Sequence, residues 1–462
     1  MPRALFPRPS LRPAIAAVPA ILGAALLLGI LASPARADGQ SAAEGGQYVP
    51  GQVLVQYEDG QVPQVIDVPP SSNVEALSEK IDDSPAILSA SPNYLAQVSG
   101  WLPNDPGLRP PRRGKAGDWQ RRQWNFLPCH SLCHPGASTG PQSRGGTNVI
   151  RAWQNLRRAG SPGASGIRIA VLDTGVAYRD LGRKYRRNPD LSGKTFARGY
   201  DFVDRDRFPL DLNGHGTHVA STIAQATNNR RGLTGIAYGA RVMPVRVMDS
   251  NGFGTTLNII RGIRWAAKNK ARVINMSLNF GCGESIPALE DALDYAHRKA
   301  AVLVGSAGNI GSQACPSLPA TYQPVISVGG TTESGCVGTY SFTSDQIDLA
   351  APGGGASRPG CPYSSAERSI LQVAMIGRDP WAFGIEPSWI GTSMAAAHVS
   401  GAAAAILASN IFEPGTRSPR SVINRLRSTA RLPSFAEGDP ASGFGAGIID
   451  IGRATNPFAP AG

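Results

Sequence analysis

The chain has 462 residues, 45 Lys and Arg against 33 Asp and Glu, a net charge of +12, and 42% hydrophobic residues. That length exceeds what one compact unit usually holds, so several segments are expected. The excess of positive charge lies partly at the N-terminus and in the run Arg109 to Arg122 without interleaved stacking residues, which argues against a nucleic-acid partner.

Arg3, Arg8 and Arg12 precede an apolar run from Ala14 to Ala32, followed by the small-x-small pattern Ala35-Arg36-Ala37. This layout predicts a secretory signal peptide over residues 1–37, removed before Asp38. The run approaches spanning length, but Pro19 and the cleavage pattern oppose a retained anchor. No later run is long and uncharged enough to span, so no membrane contact is expected after signal removal. The product is expected to be secreted, either extracellular or periplasmic.

Residues 38–102 read as a small α+β unit, with a strand from Tyr48, a helix from Asn73 to Ile81 and a closing strand from Ser91 to Val98. Its place after the signal suggests a cleavable folding aid and inhibitor. A linker rich in Pro, Gly and Arg follows, from Gly100 to about Gly145. It contains Cys129-His130-Ser131-Leu132-Cys133-His134. Two cysteines beside two histidines could suit zinc, and a pair ending in Cys-His hints at haem attachment, although haem normally has one residue fewer between its cysteines; a disulfide or another structural role is expected instead. The six cysteines are too few for a scaffold; their even number suits stapled loops, with fifteen pairings open.

From Gly166 the pattern alternates. Apolar, β-branched runs at Ile167–Asp173, Ala240–Met248, Ala271–Leu278, Ala300–Val304 and Val325–Val328 are separated by helix-period segments such as Thr255–Asn269 and Ile286–Lys299. Buried strands alternating with helices predict an α/β fold with a doubly wound, mainly parallel sheet covered on both faces. Function is then expected at the carboxyl ends of the strands.

The strand Ile169-Ala170-Val171-Leu172-Asp173 ends on a carboxylate. In Asn213-Gly214-His215-Gly216-Thr217-His218, glycines flank a histidine that opens an apolar helix. In Gly391-Thr392-Ser393-Met394 a serine stands at the mouth of an Ala-rich helix. Backbone N–H groups and the helix dipole beside such a serine suit a nucleophile whose attack creates an oxyanion. His215 and His218 also lie three apart, but no nearby Glu has the spacing of a zinc hydrolase, so a metal is not expected there. Asp201, Asp204, Asp206 and Asp211 read as a solvated acidic loop.

Asp173, His215 and Ser393 stand in the order Asp, His, Ser, which is that of subtilisin. With the motifs Asp-Thr-Gly-Val, His-Gly-Thr-His-Val-Ala and Gly-Thr-Ser-Met-Ala-Ala, the sequence resembles the secreted subtilisin family (subtilases), from Tyr48 to nearly the C-terminus. The resemblance implies a serine endopeptidase with Ser393 as nucleophile, His215 as proton carrier, Asp173 as its orienting partner and Asn309 as oxyanion donor. It assigns extended substrate to the edges Ser277-Leu278-Asn279 and Gly252-Phe253-Gly254, with Ser306, Ala307 and Gly308 walling the primary pocket. These small walls would admit a large apolar side chain, but the family usually has glycine at Asn279. Ala397 and Ser221 likewise stand where proline and glycine are usual.

The resemblance further implies protein or peptide substrates, no cofactor for the chemistry, a monomer, and residues 38–102 acting as an intramolecular inhibitor. Residues 103–147 would be linker and start of the mature region, and 148–462 the catalytic domain. Self-cleavage is expected between Ser99 and Arg122. Asp190 and Asn229 resemble structural calcium ligands of relatives, although Arg230 and Arg231 crowd that loop with positive charge. The family pairing would join Cys282 to Cys315, leaving Cys336 with Cys361 and Cys129 with Cys133. The contrasting possibility is an inactive secreted binding protein on this scaffold, marked by a lost catalytic or oxyanion residue; all four residues are present.

Overall fold

A computed structural model describes residues 48–57, 62–69, 72–94, 101–107, 117–129, 141–281, 283–311, 317–363, 367–413, 415–436 and 442–459. The expected signal peptide, Cys133, Cys282 and Cys315 lie outside the described residues.

The N-terminal unit is a three-stranded antiparallel sheet in the order β2-β1-β3, formed by β1 (Tyr48–Tyr57), β2 (Gln64–Asp67) and β3 (Ile87–Tyr94). Helix α1 (Val74–Asp82) starts where Asn73 Oδ1 accepts the Ala76 N–H at 3.1 Å, an N-cap that satisfies one orphan donor. Val53, Val55 and Val74 make its small core. Strand β3 begins four residues before the expected Ser91. The edge strand β2, with only two apolar residues, had no run long enough to be read.

The main sheet has seven parallel strands in the order β10-β9-β8-β7-β4-β6-β5: β4 (Arg168–Asp173), β5 (Tyr200–Asp201), β6 (Arg241–Arg246), β7 (Val273–Met276), β8 (Val302–Ser306), β9 (Val325–Thr331) and β10 (Leu349–Pro352). Alternation along β4 explains the two layers. Ile169 and Val171 join one core with helices α3 (His215–Ala224) and α6 (Thr392–Ala408), whereas Ala170 and Leu172 join the other with α4 (Thr256–Lys268) and α5 (Pro287–Arg298). After β6 the chain crosses to the other side of β4 to make β7, so the winding reverses at β4. In open α/β sheets ligands bind at the carboxyl end of such a switch point.

Helix α6 is buried along its whole length, which matches its apolar and small residues on every side. Ala397 is one of these buried residues. Ser221, in α3, is also fully buried, but its hydroxyl donates to the Val373 carbonyl at 3.2 Å and accepts from Asn188 Nδ2 at 3.3 Å. A hydroxyl in place of hydrogen is therefore satisfied there.

Much of the expected linker belongs to the core. Trp119, Trp124 and Phe126 are fully buried, with Trp119 and Phe126 packed edge-on against Trp153 of α2 (Val149–Arg158). Gln123 donates to the Thr234 carbonyl at 2.8 Å and its carbonyl oxygen accepts the Thr234 N–H at 3.0 Å. The abundant Pro, Gly and Arg concealed these large aromatic anchors. Cys336 and Cys361 are joined by a disulfide, and Cys129 is disulfide-bonded. Among the described residues no helix is long and apolar enough to cross a membrane.

Candidate active site

Asp173 ends β4, fully buried, and its Oδ1 accepts the His215 Nδ1–H at 2.7 Å and the Thr174 backbone N–H at 2.7 Å. His215 is the first residue of α3, and close approach of that helix to β4 depends on the next residue. A side chain on Gly216 would put its first carbon 2.1 Å from the Gly175 carbonyl oxygen and 3.0 Å from Asp173, so glycine alone lets His215 reach the carboxylate.

The helix start is held by Asp211. Its Oδ1 accepts from Thr174 Oγ1 (2.9 Å) and the N–H groups of Asn213 and Gly214 (each 2.9 Å), and its Oδ2 accepts from Thr217 N–H (2.9 Å) and Oγ1 (2.7 Å). The expected solvated acidic loop is thus half structural. Asp211 is buried as this cap, and Asp201 is buried against Arg246 at 2.8 Å, because a desolvated carboxylate needs donors or a cation. Asp204 and Asp206 are exposed.

Burial pulls the His215 pKa down, but the charge and hydrogen bond of Asp173, with Asp211 behind, outweigh it and raise it above the ordinary histidine value. His218 behaves oppositely. Burial pushes it down to about 3, so it stays neutral, with Nε2–H donated to the Ile370 carbonyl at 2.9 Å. The Trp389 ring packs against both histidines.

Ser393 is the second residue of α6. Its Oγ donates to the Ser277 carbonyl at 3.5 Å, and among the described residues no hydrogen bond joins it to His215. Apo sites commonly hold such pairs long. Ser277 Oγ in turn donates to the Ser393 carbonyl at 3.0 Å and accepts from Asn275 Nδ2 at 2.9 Å, which ties the helix start to β7.

Asn309 lies just past β8. Its Oδ1 accepts from Thr392 N–H at 2.8 Å and Thr392 Oγ1 at 2.9 Å, while Thr392 Oγ1 accepts the Gly308 N–H at 3.1 Å. The amide is pinned by its oxygen, and among the described residues Nδ2 makes no hydrogen bond. Gly391 allows this contact: its φ of 149° and a position where a side-chain carbon would lie 3.1 Å from Asn309 Nδ2 both call for glycine.

The other expected edge, Gly252-Phe253-Gly254, is a tight turn. Asp249 N–H donates to the Phe253 carbonyl at 2.8 Å, Asp249 Oδ1 accepts the Phe253 N–H at 3.0 Å, and the Phe253 ring is 77% exposed on the rim. Leu278 is buried between Ser277 and Asn279.

Asp190 is buried, its Oδ1 accepting from Asn229 Nδ2 at 2.8 Å and its Oδ2 from Gln225 Nε2 at 2.6 Å and the Leu233 N–H at 2.9 Å. A second buried carboxylate, Asp105, accepts the N–H groups of Asn228 and Asn229 at 2.7 and 3.1 Å. Burial, with Asp105 adding to it, pushes Asp190 up to about 8. Neither carboxylate forms an ion pair among the described residues, and no three His, Cys, Asp or Glu side chains converge there. Two buried carboxylates whose partners among the described residues are neutral hydrogen-bond donors are chemistry that a hard cation fits; the Asn229 oxygen that would join them accepts the Arg231 N–H at 2.8 Å here. In the sequence Asp105 stands within Pro103-Asn104-Asp105-Pro106. Its signal as a donor, an acidic residue in an otherwise uncharged turn, becomes meaningful only once that turn packs on the Asn229 loop.

Residues 164–447 match the model of the subtilase family. The chain is 34% identical over 383 residues to the thermophilic serine proteinase of Bacillus sp. (strain AK1), covering 78% of this chain and 79% of that one. It is 38% identical over 239 residues to thermitase of Thermoactinomyces vulgaris, covering 52% and 74%. A solved protease structure from Pseudoalteromonas arctica superposes with a TM-score of 0.58 at 30% identity, over 77% of this chain and 99% of its own.

Proposed function

This chain belongs to the subtilase family and is a serine-type endopeptidase, and from that premise we propose that Asp173, His215 and Ser393 are its catalytic triad and Asn309 its oxyanion donor. The observation that carries the reading is the 2.7 Å hydrogen bond from His215 Nδ1–H to buried Asp173. It occupies Nδ1 and leaves Nε2 as the ring's basic nitrogen.

In the proposed reaction Ser393 Oγ attacks the peptide carbonyl while His215 Nε2 takes its proton. The developing oxyanion accepts hydrogen bonds from Asn309 Nδ2–H and the Ser393 backbone N–H. His215, now charged and stabilised by Asp173, passes the proton to the leaving amine. Water then attacks the acyl-enzyme by the same steps in reverse. Substrate lies extended between the edges at Ser277–Asn279 and Gly252–Gly254, pairing its backbone as an added strand.

The proposal extends to processing. Residues 1–37 direct export, residues 38–102 inhibit, and self-cleavage between Ser99 and Arg122 releases the active protein as a monomer. Its support is the separate small sheet with its own core. N-terminal sequencing of secreted protein that begins at Asp38 counts against it. The decisive test is digestion of a denatured protein by the purified secreted chain beside Ser393→Ala. Substrate breakdown and loss of the N-terminal segment in the wild type, with neither in the variant, is the expected result. Folded wild type that cleaves nothing overturns the peptidase reading in favour of a binding role.

We also propose that Asp105, Asp190 and Asn229 hold a structural calcium ion, which supplies stability and takes no part in the chemistry. Removing a ligand present at about 100 times its Kd costs about 2.7 kcal/mol, or roughly 4 °C in melting temperature for a domain of this size. Treatment with EDTA is expected to lower the melting temperature by that amount and hasten autolysis. An unchanged melting curve rules the ion out.

A further inference from the structure

Strands β7 and β8 pair up to Met276 and Gly305. Beyond that pair the two chains part at the carboxyl edge. One continues as Ser277-Leu278-Asn279, with the Ser277 carbonyl against Ser393 Oγ; the other reaches Asn309, which holds Thr392. The gap between them therefore opens beside the nucleophile and runs away between two backbones. On the peptidase reading above, on which this inference rests, a carbonyl held between Ser393 Oγ and Asn309 Nδ2 directs its neighbouring side chain into that gap.

Asn279 spans the gap. Its Nδ2 donates to the Ser306 carbonyl at 2.6 Å and to Ser317 Oγ at 3.1 Å, and its Oδ1 accepts from Ser306 Oγ at 3.2 Å. Both amide hydrogens and the carbonyl are engaged, and the two partner serines are buried. One bridge thus links the two extensions at three points, 27 and 38 residues apart in sequence. Swinging it aside breaks all three bonds and leaves the buried Ser306 hydroxyl without the acceptor it uses here. Ala307 and Gly308 on the facing wall are too small to narrow the slot themselves, so its depth is set by the amide. The lining it adds is polar, with Ser306 and Ser317 behind it, and a large apolar side chain entering would have to displace the amide and so leave those buried groups unpaired.

We propose that Asn279 is a specificity-determining residue that shortens the primary pocket, so that the enzyme prefers a small side chain, such as alanine or serine, on the amino side of the bond it cuts. The test compares the secreted, processed wild type with Asn279→Gly and Ser306→Ala on peptides differing only at that residue, with Ala, Ser, Leu or Phe. The readout is the ratio of kcat/KM for Phe to that for Ala. The expected wild-type ratio is below one, rising at least about 10-fold in Asn279→Gly and less in Ser306→Ala, which loses one of the three bonds. A wild type that prefers Phe overturns the proposal, as does an unchanged ratio in Asn279→Gly. Should that variant not fold, the wild-type ratio and Ser306→Ala still decide. A wild type that cleaves none of the peptides and no denatured protein removes the peptidase reading, whereas one that degrades protein with the opposite preference removes only the role of Asn279.

Discussion

On the proposed triad, His215→Ala is expected to lower kcat about 10⁶-fold, and Asp173→Asn about 10⁴-fold, in proteins that still fold. The two losses differ because the residues do different work. Without His215 nothing takes the Ser393 proton. With asparagine at 173, an amide N–H faces His215 Nδ1 and turns it into the acceptor, so the ring's proton moves to Nε2 and the base is lost although the geometry remains. The same pair sets the pH dependence. Its base must be neutral, and the net upward shift from Asp173 and Asp211 means that kcat/KM falls on the acid side with an apparent pKa above the ordinary histidine value of about 6.5. The sign for stability is opposite. The folded state favours the charged ring, so its contribution is complete below about pH 6.5 and is lost as pH rises through the raised folded value. Peptide hydrolysis across pH, with melting curves on the same samples, checks both. A rate flat from about pH 5 to 8 refutes the role given to His215.

Asp173, His215 and Ser393 could be singled out in the sequence because each stands in a short local pattern: a buried run ending in a carboxylate, glycines around a histidine, or a serine opening a helix; Asn309 came only with the family resemblance that these three carry. Five strands of the seven-stranded sheet, β4, β6, β7, β8 and β9, were legible for a related reason, since strands buried on both faces read as continuous apolar runs. What escaped were roles created by distance. Asp211 looks like any loop aspartate until Thr174, 37 residues earlier, donates to it. Trp119 and Trp124 stand in a stretch whose composition signals a linker, and they become core only against Trp153 and the Ser369 carbonyl. The strands β5, β11 (Gln372–Met375) and β12 (Phe383–Glu386) are two to four residues long, too short for any periodicity to register. Asn279 was visible as an odd residue, yet its function as a bridge depends on Ser306 and Ser317.

Asn309→Leu is expected to lower kcat about 10²- to 10³-fold and leave KM nearly unchanged. A neutral amide suits the task because it can stabilise a developing charge without itself titrating. Its orientation is fixed in advance: Thr392 donates twice to Oδ1, at 2.8 and 2.9 Å, so the amide cannot turn without breaking both bonds, and on the proposed role its Nδ2–H is the donor left for the oxyanion. A donor held this way costs no reorganisation when the oxyanion forms, and it gains little from the ground-state carbonyl, which is why the loss falls on kcat. Leucine keeps the bulk near Gly391 but offers no hydrogen. Thr392→Val tests the pinning separately. It removes one of the two bonds to Oδ1 and the acceptor of Gly308 N–H, so a smaller loss in kcat is expected, with KM again unaffected. Steady-state kinetics on one peptide substrate measure all three proteins. A rise in KM with kcat preserved would mean that Asn309 binds substrate and transition state alike, and the oxyanion role would then fall to the Ser393 backbone N–H alone.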